Sequence, residues 1–308
     1  MSSRPVDLST RVGALLLPNP VMTASGTAGL GAELAAYFDL AALGAHVVKS
    51  LAAYPWPGNG PPRVAGRPGY MLNSVGLAGP GIAAWLDEEL PALERCGARV
   101  VASVWGRSVD DYARAGELLS GAPACVVAVE VNVSCPNVEE RHALFGASPG
   151  ATARAVEAVA ACGRPVWAKL SPNVADLVAV AEAAAQAGAQ AVTLVNTAFG
   201  MAIDPQTRRF ALGAGGGGVS GRALHPIAVR AVHDVHGALP ELAIVGVGGV
   251  FTAEDAVELL LAGASAVQVG TATFVDPRAA FRLVGELERW CAARAVRRVA
   301  ELVGAGGG

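Results

Sequence analysis

The sequence predicts an α/β fold in which eight parallel strands, each followed by a helix, close into a (β/α)8 barrel of the TIM-barrel type. Short runs of apolar and β-branched residues, typical of parallel strands buried on both faces, recur eight times. Alanine-rich segments with helical spacing separate these runs. A chain of 308 residues is long enough for eight such units.

The fourth run shows why these segments are interpreted as buried strands. Its apolar residues alternate with Glu130 and Asn132, and Pro136 stops it because proline has no N–H for a central ladder. The predicted strands are Pro20–Ala24, Ala45–Lys49, Val100–Val104, Val126–Val133, Pro165–Leu170, Ala191–Val195, Ala243–Val247 and Ala266–Val269. The predicted helical segments are 31–43, 81–95, 108–120, 149–162, 174–187, 223–236, 252–262 and 277–300.

A doubly wound open sheet is the alternative architecture. It usually carries a GxGxxG turn after its first strand, whereas this chain reads Ala24-Ser-Gly-Thr-Ala-Gly29 at that point. The barrel is therefore the favoured prediction.

The remaining segments extend the barrel at its ends. Residues 6–18 predict a β-hairpin that caps the bottom, and residues 213–218 are interpreted as a hinge or a close-approach loop. Residues 1–303 are predicted to form a single domain, with a disordered tail at 304–308. Long loops are usually functional and barrel active sites lie at the carboxyl ends of strands, where three long connections follow. They are 50–80, 134–148 and 196–222.

Composition and charge narrow the classes of protein. Apolar residues make up 53% and charged residues 16% of the chain, so we expect a large core and no extensive disorder. The net charge of −3, without a basic tract, argues against nucleic-acid binding. No apolar run reaches the ~18 residues that span a bilayer. The N-terminus has no apolar signal region, so the sequence predicts a cytoplasmic protein without a membrane segment.

The five cysteines are odd in number and include no CxxC. We therefore expect no disulfide framework, no metal site and no Fe–S cluster held by this chain alone. Cys135 differs from the others because it stands in a polar loop directly after a strand. We interpret it as an acid or base, since a thiol with a pKa near 8.5 can serve near neutrality if that pKa is modestly lowered. A nucleophilic pair with His142 is the weaker alternative.

Lysine occupies only two of the 23 basic positions, Lys49 and Lys169. Both end apolar strands, whereas arginine is used everywhere else. A compact ammonium on a flexible stem differs from a planar guanidinium, so these positions are candidates for a geometry that arginine cannot satisfy. Chance use of lysine at the surface is the alternative, which the buried-strand context weakens.

The predicted carboxyl ends of the strands carry amides, hydroxyls, glycines and the two lysines, with almost no acids and no histidine. This set lacks the ligands for metal-dependent hydrolysis and the carboxylate pair of a glycosidase. Glycines ending the last two strands suit a phosphate. Two ammonium groups suit an electron-rich ring and a carboxylate, and a lysine near a reduced flavin stabilises its negative charge. A barrel that binds a phosphorylated ligand without redox chemistry is the alternative from another class.

Three motifs resemble those of the class 1 dihydroorotate dehydrogenases. They are Asn132-Val-Ser-Cys-Pro-Asn137, Met71-Leu-Asn-Ser-Val-Gly-Leu77 and Val195-Asn-Thr197. The resemblance covers nearly the whole chain, from Asn19–Gly26 to Ala262–Thr271. It implies an FMN-dependent barrel enzyme that oxidises (S)-dihydroorotate to orotate in de novo pyrimidine biosynthesis.

The resemblance also implies roles for individual residues. Cys135 would remove the C5 proton of dihydroorotate while a hydride passes from C6 to flavin N5; class 2 enzymes carry serine instead. The substrate would be bound by Lys49, Asn73, Gly76, Leu77, Asn132, Asn196 and Thr197. FMN would be bound by Ala24, Ser25, Gly26, Lys49, Ser50, Asn132, Lys169, Val195, Gly221, Gly248, Gly249, Gly270 and Thr271, the last four around its phosphate.

The form Val21-Met-Thr-Ala-Ser-Gly-Thr27 resembles subclass 1B, which works with a separate FAD/Fe–S subunit that passes electrons to NAD. The lack of clustered cysteines fits a need for such a partner or for a soluble acceptor, and a homodimer is the family expectation. After Asn137 the chain departs from the family, because residues 138–145 replace the lysine and glycines often found there. This departure keeps open a related activity on dihydrouracil, dihydrothymine or another dihydro ring compound.

Overall fold

A computed structural model describes residues 6–135 and 144–307 of the protein. Within these residues strands and helices alternate along the chain. The strands are β1 (Thr10–Val12), β2 (Leu15–Leu17), β3 (Val21–Thr23), β4 (His46–Val47), β5 (Val64–Arg67), β6 (Tyr70–Asn73), β7 (Val100–Val104), β8 (Val126–Asn132), β9 (Val166–Lys169), β10 (Ala191–Leu194), β11 (Ala198–Met201), β12 (Gly216–Ser220), β13 (Ala243–Val247) and β14 (Ala266–Val269).

The α-helices of the described residues are α1 (Ile82–Glu88), α2 (Leu90–Arg95), α3 (Val109–Leu119), α4 (Pro149–Val159), α5 (Leu177–Gln186), α6 (His225–Ala238), α7 (Ala253–Ala262), α8 (Ala272–Val275) and α9 (Ala279–Ala293). Short 3-10 helices lie at Glu33–Ala36, Leu40–Ala42, Phe145–Ala147, Ala160–Cys162, Arg222–Leu224 and Val299–Leu302. Ser108 and Thr252 begin α3 and α7 with reciprocal capping boxes, which satisfy N–H groups of the first turn.

Eight strands form one parallel sheet in the order β3-β14-β13-β10-β9-β8-β7-β4. A parallel bridge between Met22 and Ala45 joins the two ends of this sheet and closes the barrel. All eight predicted strands are present, so the predicted (β/α)8 barrel is confirmed. Parallel closure brings the carboxyl ends of the strands to one rim, where residues distant in sequence meet.

The lower half of the barrel interior is apolar and closed. One buried cluster takes side chains from all around the barrel, including Ala128, Trp167 and Val245. Val12 and Leu17 of the β1–β2 hairpin belong to the same cluster and are fully buried. The hairpin therefore caps the bottom, as the sequence predicts.

Three predicted helices differ in detail. Residues 31–43 form two 3-10 helices, because the Asp39 side chain accepts a hydrogen bond from Ala41 and starts a new turn. The segment 81–95 is divided between α1 and α2 next to Pro91, which has no N–H to continue a helix. The last helix ends at Ala293, shortly before Ala295 adopts a positive φ of 57°.

Two of the predicted long loops contain regular structure that the sequence does not predict. β5 and β6 from residues 50–80 and β11 and β12 from residues 196–222 form an antiparallel sheet in the order β11-β12-β6-β5. The glycine run 213–218 supplies part of β12. A Cβ at Gly217 would lie 2.2 Å from the carbonyl oxygen of Asn73, and one at Gly218 would lie 2.1 Å from Oγ1 of Thr197. The close-approach interpretation of this run is therefore correct.

The chain end also differs from the prediction of a disordered tail. Gly304 N–H donates to the Leu260 carbonyl at 3.0 Å, and Gly306 N–H donates to the Leu261 carbonyl at 2.9 Å. These bonds dock the described part of the end, 304–307, against α7. Among the described residues no helix is long and apolar enough to cross a membrane.

Candidate active site

One large cavity of about 870 Å³ opens at the carboxyl ends of the barrel strands, a volume near the upper end of the range for ligand pockets. It is lined by eighteen of the nineteen residues to which the resemblance assigns a role, and the exception is Cys135. The eighteen are Ala24, Ser25, Gly26, Lys49, Ser50, Asn73, Gly76, Leu77, Asn132, Lys169, Val195, Asn196, Thr197, Gly221, Gly248, Gly249, Gly270 and Thr271. Their roles toward particular ligands remain predictions.

The antiparallel sheet forms one wall of this cavity. Phe199, Gly218 and Asn73 lie in register on neighbouring strands, and all three line the cavity. Asn73 Nδ2 donates to the Gly218 carbonyl at 3.4 Å. Thr271 Oγ1 donates to Ser220 Oγ at 2.8 Å, which ties the sheet to the segment that follows β14. The wall is thus fixed to the barrel rim.

A chain of side-chain hydrogen bonds orients the amides at the centre of the rim. Asn132 Nδ2 donates to Ser50 Oγ at 3.4 Å, and that hydroxyl lies 2.9 Å from Ser103 Oγ. Asn132 Oδ1 accepts from Asn196 Nδ2 and from the Ser134 N–H, both at 3.1 Å. Because each NH₂ group carries two hydrogens, Asn132 and Asn196 each keep one for a ligand.

Lys49 brings an uncompensated positive charge to the cavity. It follows β4, and its backbone N–H donates to the Gly29 carbonyl at 2.9 Å. Its ammonium has no hydrogen bond or ion pair with the described residues. Burial lowers the pKa of Lys49 to about 8. A cation buried without a counter-ion at the wall of a pocket is suited to an anionic ligand.

Lys169, in contrast, belongs to a closed polar network inside the barrel. Its Nζ donates to Gln268 Oε1 at 2.9 Å and lies 3.5 Å from Glu130 Oε1. Glu130 Oε2 accepts from Gln268 Nε2 at 2.7 Å and from Thr193 Oγ1 at 2.9 Å. All four side chains are buried, yet Lys169 also lines the cavity. The sequence-based predictions give no role to Glu130, Thr193 or Gln268. Glu130 can nevertheless be recognised in the sequence as a charged residue inside an apolar strand.

The glycines after β13 and β14 form a cradle of backbone donors. Among the described residues, the N–H groups of Gly248, Gly249, Gly270 and Thr271 have no carbonyl or side-chain partner. Gly249 has a φ of 68°, and a Cβ there would lie 2.7 Å from His225 Cβ, so only glycine fits. Unpaired N–H groups converging at one end of a cavity suit a phosphate.

Cys135 does not line the cavity and is fully buried beneath the rim. Its Sγ lies 2.8 Å from Tyr112 Oη and 3.1 Å from the Gly106 carbonyl oxygen. Tyr112 Oη donates to the Asn132 carbonyl at 2.8 Å, so the hydroxyl oxygen is left to accept from the thiol. The thiol is therefore surrounded by atoms that can accept a hydrogen bond from S–H.

In this environment Cys135 does not have the lowered pKa that a role as acid or base near neutrality requires. Burial raises the pKa of Cys135 to about 11 and outweighs the opposing effects of Tyr112 and the nearby backbone groups. The thiol is thus neutral and turned away from the cavity in this conformation. The predicted partner His142, with Pro136, Asn137 and residues 138–143, lies outside the described residues.

An aromatic group beside the rim was missed by the sequence analysis. Trp56, Trp105 and Arg107 line the cavity, and the Arg107 guanidinium lies 5.1 Å from the centre of the Trp56 ring. Trp56 Nε1 donates to the Gly76 carbonyl at 3.0 Å. This bond holds the segment 71–77, which contains three of the predicted substrate-binding residues. No short motif contains these residues, so only the fold reveals that they meet. Arg107 adds a third cation to the cavity wall, besides Lys49 and Lys169.

A closed barrel with a donor cradle, a lysine-lined cavity and oriented amides at one rim is the arrangement of a barrel oxidoreductase. The family model described as "Dihydroorotate dehydrogenase" matches residues 7–290. The chain belongs to the dihydroorotate dehydrogenase family, and this family consists of flavin-dependent enzymes.

Several curated relatives are similar over almost their whole length. One from Desulforudis audaxviator (strain MP104C) is 48% identical over 301 residues, covering 97% of each chain. One from Geobacter sp. (strain M21) is 44% identical over 300 residues, covering 97% of this chain and 98% of the relative. Both are named "Dihydroorotate dehydrogenase B (NAD(+)), catalytic subunit". The resemblance to the class 1B enzymes is therefore confirmed.

Proposed function

We propose that this protein oxidises (S)-dihydroorotate to orotate with FMN as its cofactor, in de novo pyrimidine biosynthesis. The observation that carries this proposal is that one cavity combines the glycine donor cradle with the uncompensated Lys49. These two features suit a ligand set with a phosphate at one end and a carboxylate at the other.

The residues of the cavity fit an FMN. The cradle at Gly248, Gly249, Gly270 and Thr271 would hold its phosphate, because these N–H groups have no other partner among the described residues. Lys169 would lie toward the ring system, where a cation favours negative charge. When bound, the flavin supplies the acceptor for the two electrons that leave the substrate.

The remaining polar groups support a substrate with a carboxylate. Lys49 and Arg107 line the cavity and have no ion pair with the described residues. Dihydroorotate carries a carboxylate, whereas dihydrouracil and dihydrothymine do not. Burying a cation without an anion is costly, so this cavity favours dihydroorotate over the two uncharged rings. The spare amide hydrogens of Asn132 and Asn196 would bind ring oxygens of the substrate.

Cys135 is proposed as the base that removes the C5 proton. In the described conformation its Sγ contacts Tyr112 instead of the cavity. The step therefore needs a second position of this side chain, in which Sγ reaches the substrate and the cost of burying a thiolate is relieved. Lys49 and the amides would then hold the ring while the proton leaves.

The relatives are named as catalytic subunits, which implies that they work with another subunit. We extend this implication to the present chain as a proposal. A separate FAD/Fe–S subunit would take electrons from the flavin and pass them to NAD, and the catalytic chains would form a homodimer. The described residues contain no group of three His, Cys, Asp or Glu placed to hold a metal.

Anaerobic absorbance spectroscopy tests the proposed reaction. Flavin bands in the purified protein should bleach on addition of L-dihydroorotate and should change far less with dihydrouracil. Replacing Cys135 with Ala should leave FMN bound and slow bleaching by about 10²–10⁴-fold, the usual contribution of a general base. Cys291→Ala is the matched control, since this buried cysteine lies on α9 away from the cavity. Unchanged bleaching in Cys135→Ala would contradict the base assignment, and a protein that binds no flavin would contradict the whole proposal.

A further inference from the structure

Glu130 is the one acidic side chain among the fully buried polar residues of the described ranges. It lies in the middle of the fourth barrel strand, below Asn132 and above Ala128 on the inward-facing side. An ionised carboxylate in such a place is costly unless several donors surround it. Packing alone does not explain a buried acid at this position, beneath the predicted flavin site.

The donors around Glu130 are arranged with a definite polarity. Gln268 Nε2 and Thr193 Oγ1 both donate to Oε2, at 2.7 and 2.9 Å. Oε1 receives no hydrogen bond and faces Lys169 Nζ at 3.5 Å. Two neutral donors therefore fix the orientation of the carboxylate. Its second oxygen, Oε1, interacts with the Lys169 ammonium through charge alone, without a hydrogen bond.

Gln268 connects the two charged groups. Its Nε2 donates to Glu130 while its Oε1 accepts from Lys169 at 2.9 Å. This pattern settles the orientation of the amide, because the reverse orientation would place the amide hydrogens against the ammonium. The three side chains come from β8, β9 and β14, so the barrel itself holds Lys169 in one place. The ammonium is presented to the cavity from a rigid support.

We infer that Glu130 is a positioning residue that holds Lys169 against the flavin and offsets part of its charge. The inference rests on the proposed function, in which the flavin lies beside Lys169. A bare ammonium next to the ring would strongly favour the reduced form, which carries more negative charge. With the carboxylate 3.5 Å away, the pair is nearly neutral, so the flavin can pass its electrons on to an acceptor.

The test is the midpoint potential of the flavin in the purified holoenzyme with Glu130→Gln. This change keeps the shape of the side chain and removes its charge, so the potential should rise. A tenfold shift of the oxidised-to-reduced equilibrium is expected, which is about 30 mV for a two-electron couple. Glu117→Gln, an exposed acid on α3, is the matched control and should leave the potential unchanged.

Making Glu130→Gln in a Lys169→Gln protein distinguishes an effect of Glu130 through Lys169 from a direct effect of Glu130 on the flavin. In Lys169→Gln, the further change Glu130→Gln should move the potential little, because the buried carboxylate takes up a proton once the ammonium is absent and then has no charge to lose. An equal rise in both backgrounds would overturn the positioning role. An unchanged potential in Glu130→Gln alone would overturn it as well.

If Glu130→Gln does not fold, Gln268→Met tests the same inference. It leaves both charges in place but removes the amide that joins them, so the dissociation constant of FMN should rise about tenfold and the potential should shift. Wild-type values of both would overturn the inference. A wild-type protein that binds no flavin would overturn the proposed function together with this inference, whereas a flavin-loaded wild type with insensitive variants overturns the inference alone.

Discussion

Lys49 and Lys169 both line one cavity, but their positive charges are balanced in different ways. Each ammonium is carried at the end of a barrel strand, where Lys169 is buried and Lys49 is partly buried. Lys169 is balanced inside the protein by Glu130, with Gln268 as an intermediary. Lys49 has no counter-charge among the described residues, and burial lowers its pKa to about 8.

The difference indicates what each site is for. A paired cation is stable without a ligand and keeps its position through a reaction. An unpaired cation makes the free protein less stable, and it regains that free energy when an anion binds. We therefore read the Lys169 side as permanent support for the cofactor and the Lys49 side as the place where the anionic substrate enters.

The largest expected effect comes from making the same substitution on both sides. Lys169→Met would leave the Glu130 carboxylate buried without its cation, which should lower the free energy of unfolding by about 3–5 kcal/mol. Lys49→Met removes a partly buried charge that has no partner among the described residues, so it should not destabilise the apoprotein and should stabilise it at neutral pH. Urea denaturation of the two apoproteins measures both. Equal losses of stability would show that the two lysines are not in different electrostatic environments.

The pH dependence of stability sharpens the same contrast. Because the pKa of Lys49 falls from 10.5 to about 8 in the folded state, the unfolded chain binds more protons between these values. The free energy of unfolding should therefore rise with pH across this window, by up to about 3 kcal/mol. Other groups titrate in the same range, and Cys135, with its raised pKa, acts in the opposite direction. The measured quantity is consequently the wild-type curve minus the Lys49→Met curve, and a flat difference would contradict the prediction.

The affinity for an anionic ligand should fall as the pH rises, whereas the Lys49 contribution to stability rises with pH. Orotate should bind most tightly below pH 8, where the ammonium is charged, and its dissociation constant should rise by up to tenfold per pH unit above that value. Titration of the oxidised holoenzyme with orotate, followed by the flavin spectrum, measures this dependence. A dissociation constant that stays level from pH 7 to 9.5 would remove Lys49 as the main anion partner.

The two lysines also show how far sequence reasoning extends. Their composition anomaly and strand-end positions point to both sites, and the barrel follows from the spacing of β-branched runs. Nothing in the sequence distinguishes the two environments, since Glu130, Thr193 and Gln268 come from separate strands. Only closure of the barrel brings them together.

Other features were beyond the sequence for related reasons. β12 contains three glycines, which disfavour strands in isolation, and it forms because β6 and β11 pair with it on either side. The orientation of Cys135 depends on the backbone after β8 and on the hydroxyl of Tyr112. Its position in the motif indicates a reactive thiol, whereas its surroundings in this conformation hold it neutral.

That contrast leads to a prediction of intermediate size. Tyr112→Phe removes the hydroxyl that accepts from the Cys135 thiol and donates to the Asn132 carbonyl. Loss of the two bonds should destabilise the protein by about 1–3 kcal/mol. It should also speed alkylation of Cys135 by iodoacetamide, because the thiol loses a partner that retains it beneath the rim. Peptide mass spectrometry reports the rate, with Cys291 as the internal control; an unaltered rate at Cys135 would show that Tyr112 does not retain the thiol.

The smallest effect tests how finely the Lys169 side is tuned. Thr193→Val removes one neutral donor to Glu130 Oε2 and leaves Gln268 and the ion pair in place. Stability should fall by about 1 kcal/mol. The flavin potential should move in the same direction as in Glu130→Gln but by much less, because the carboxylate keeps its charge.

Thr152→Val is the matched control for this change. Its hydroxyl is also buried and donates to the Phe145 carbonyl at 3.2 Å, on α4 and outside the Glu130 network. A similar loss of stability without any change in potential is expected. If both threonine variants shifted the potential equally, the flavin would be responding to a general loss of barrel stability. The Glu130–Lys169 pair would then have no specific effect on the flavin, and the contrast with the unpaired Lys49 would not hold.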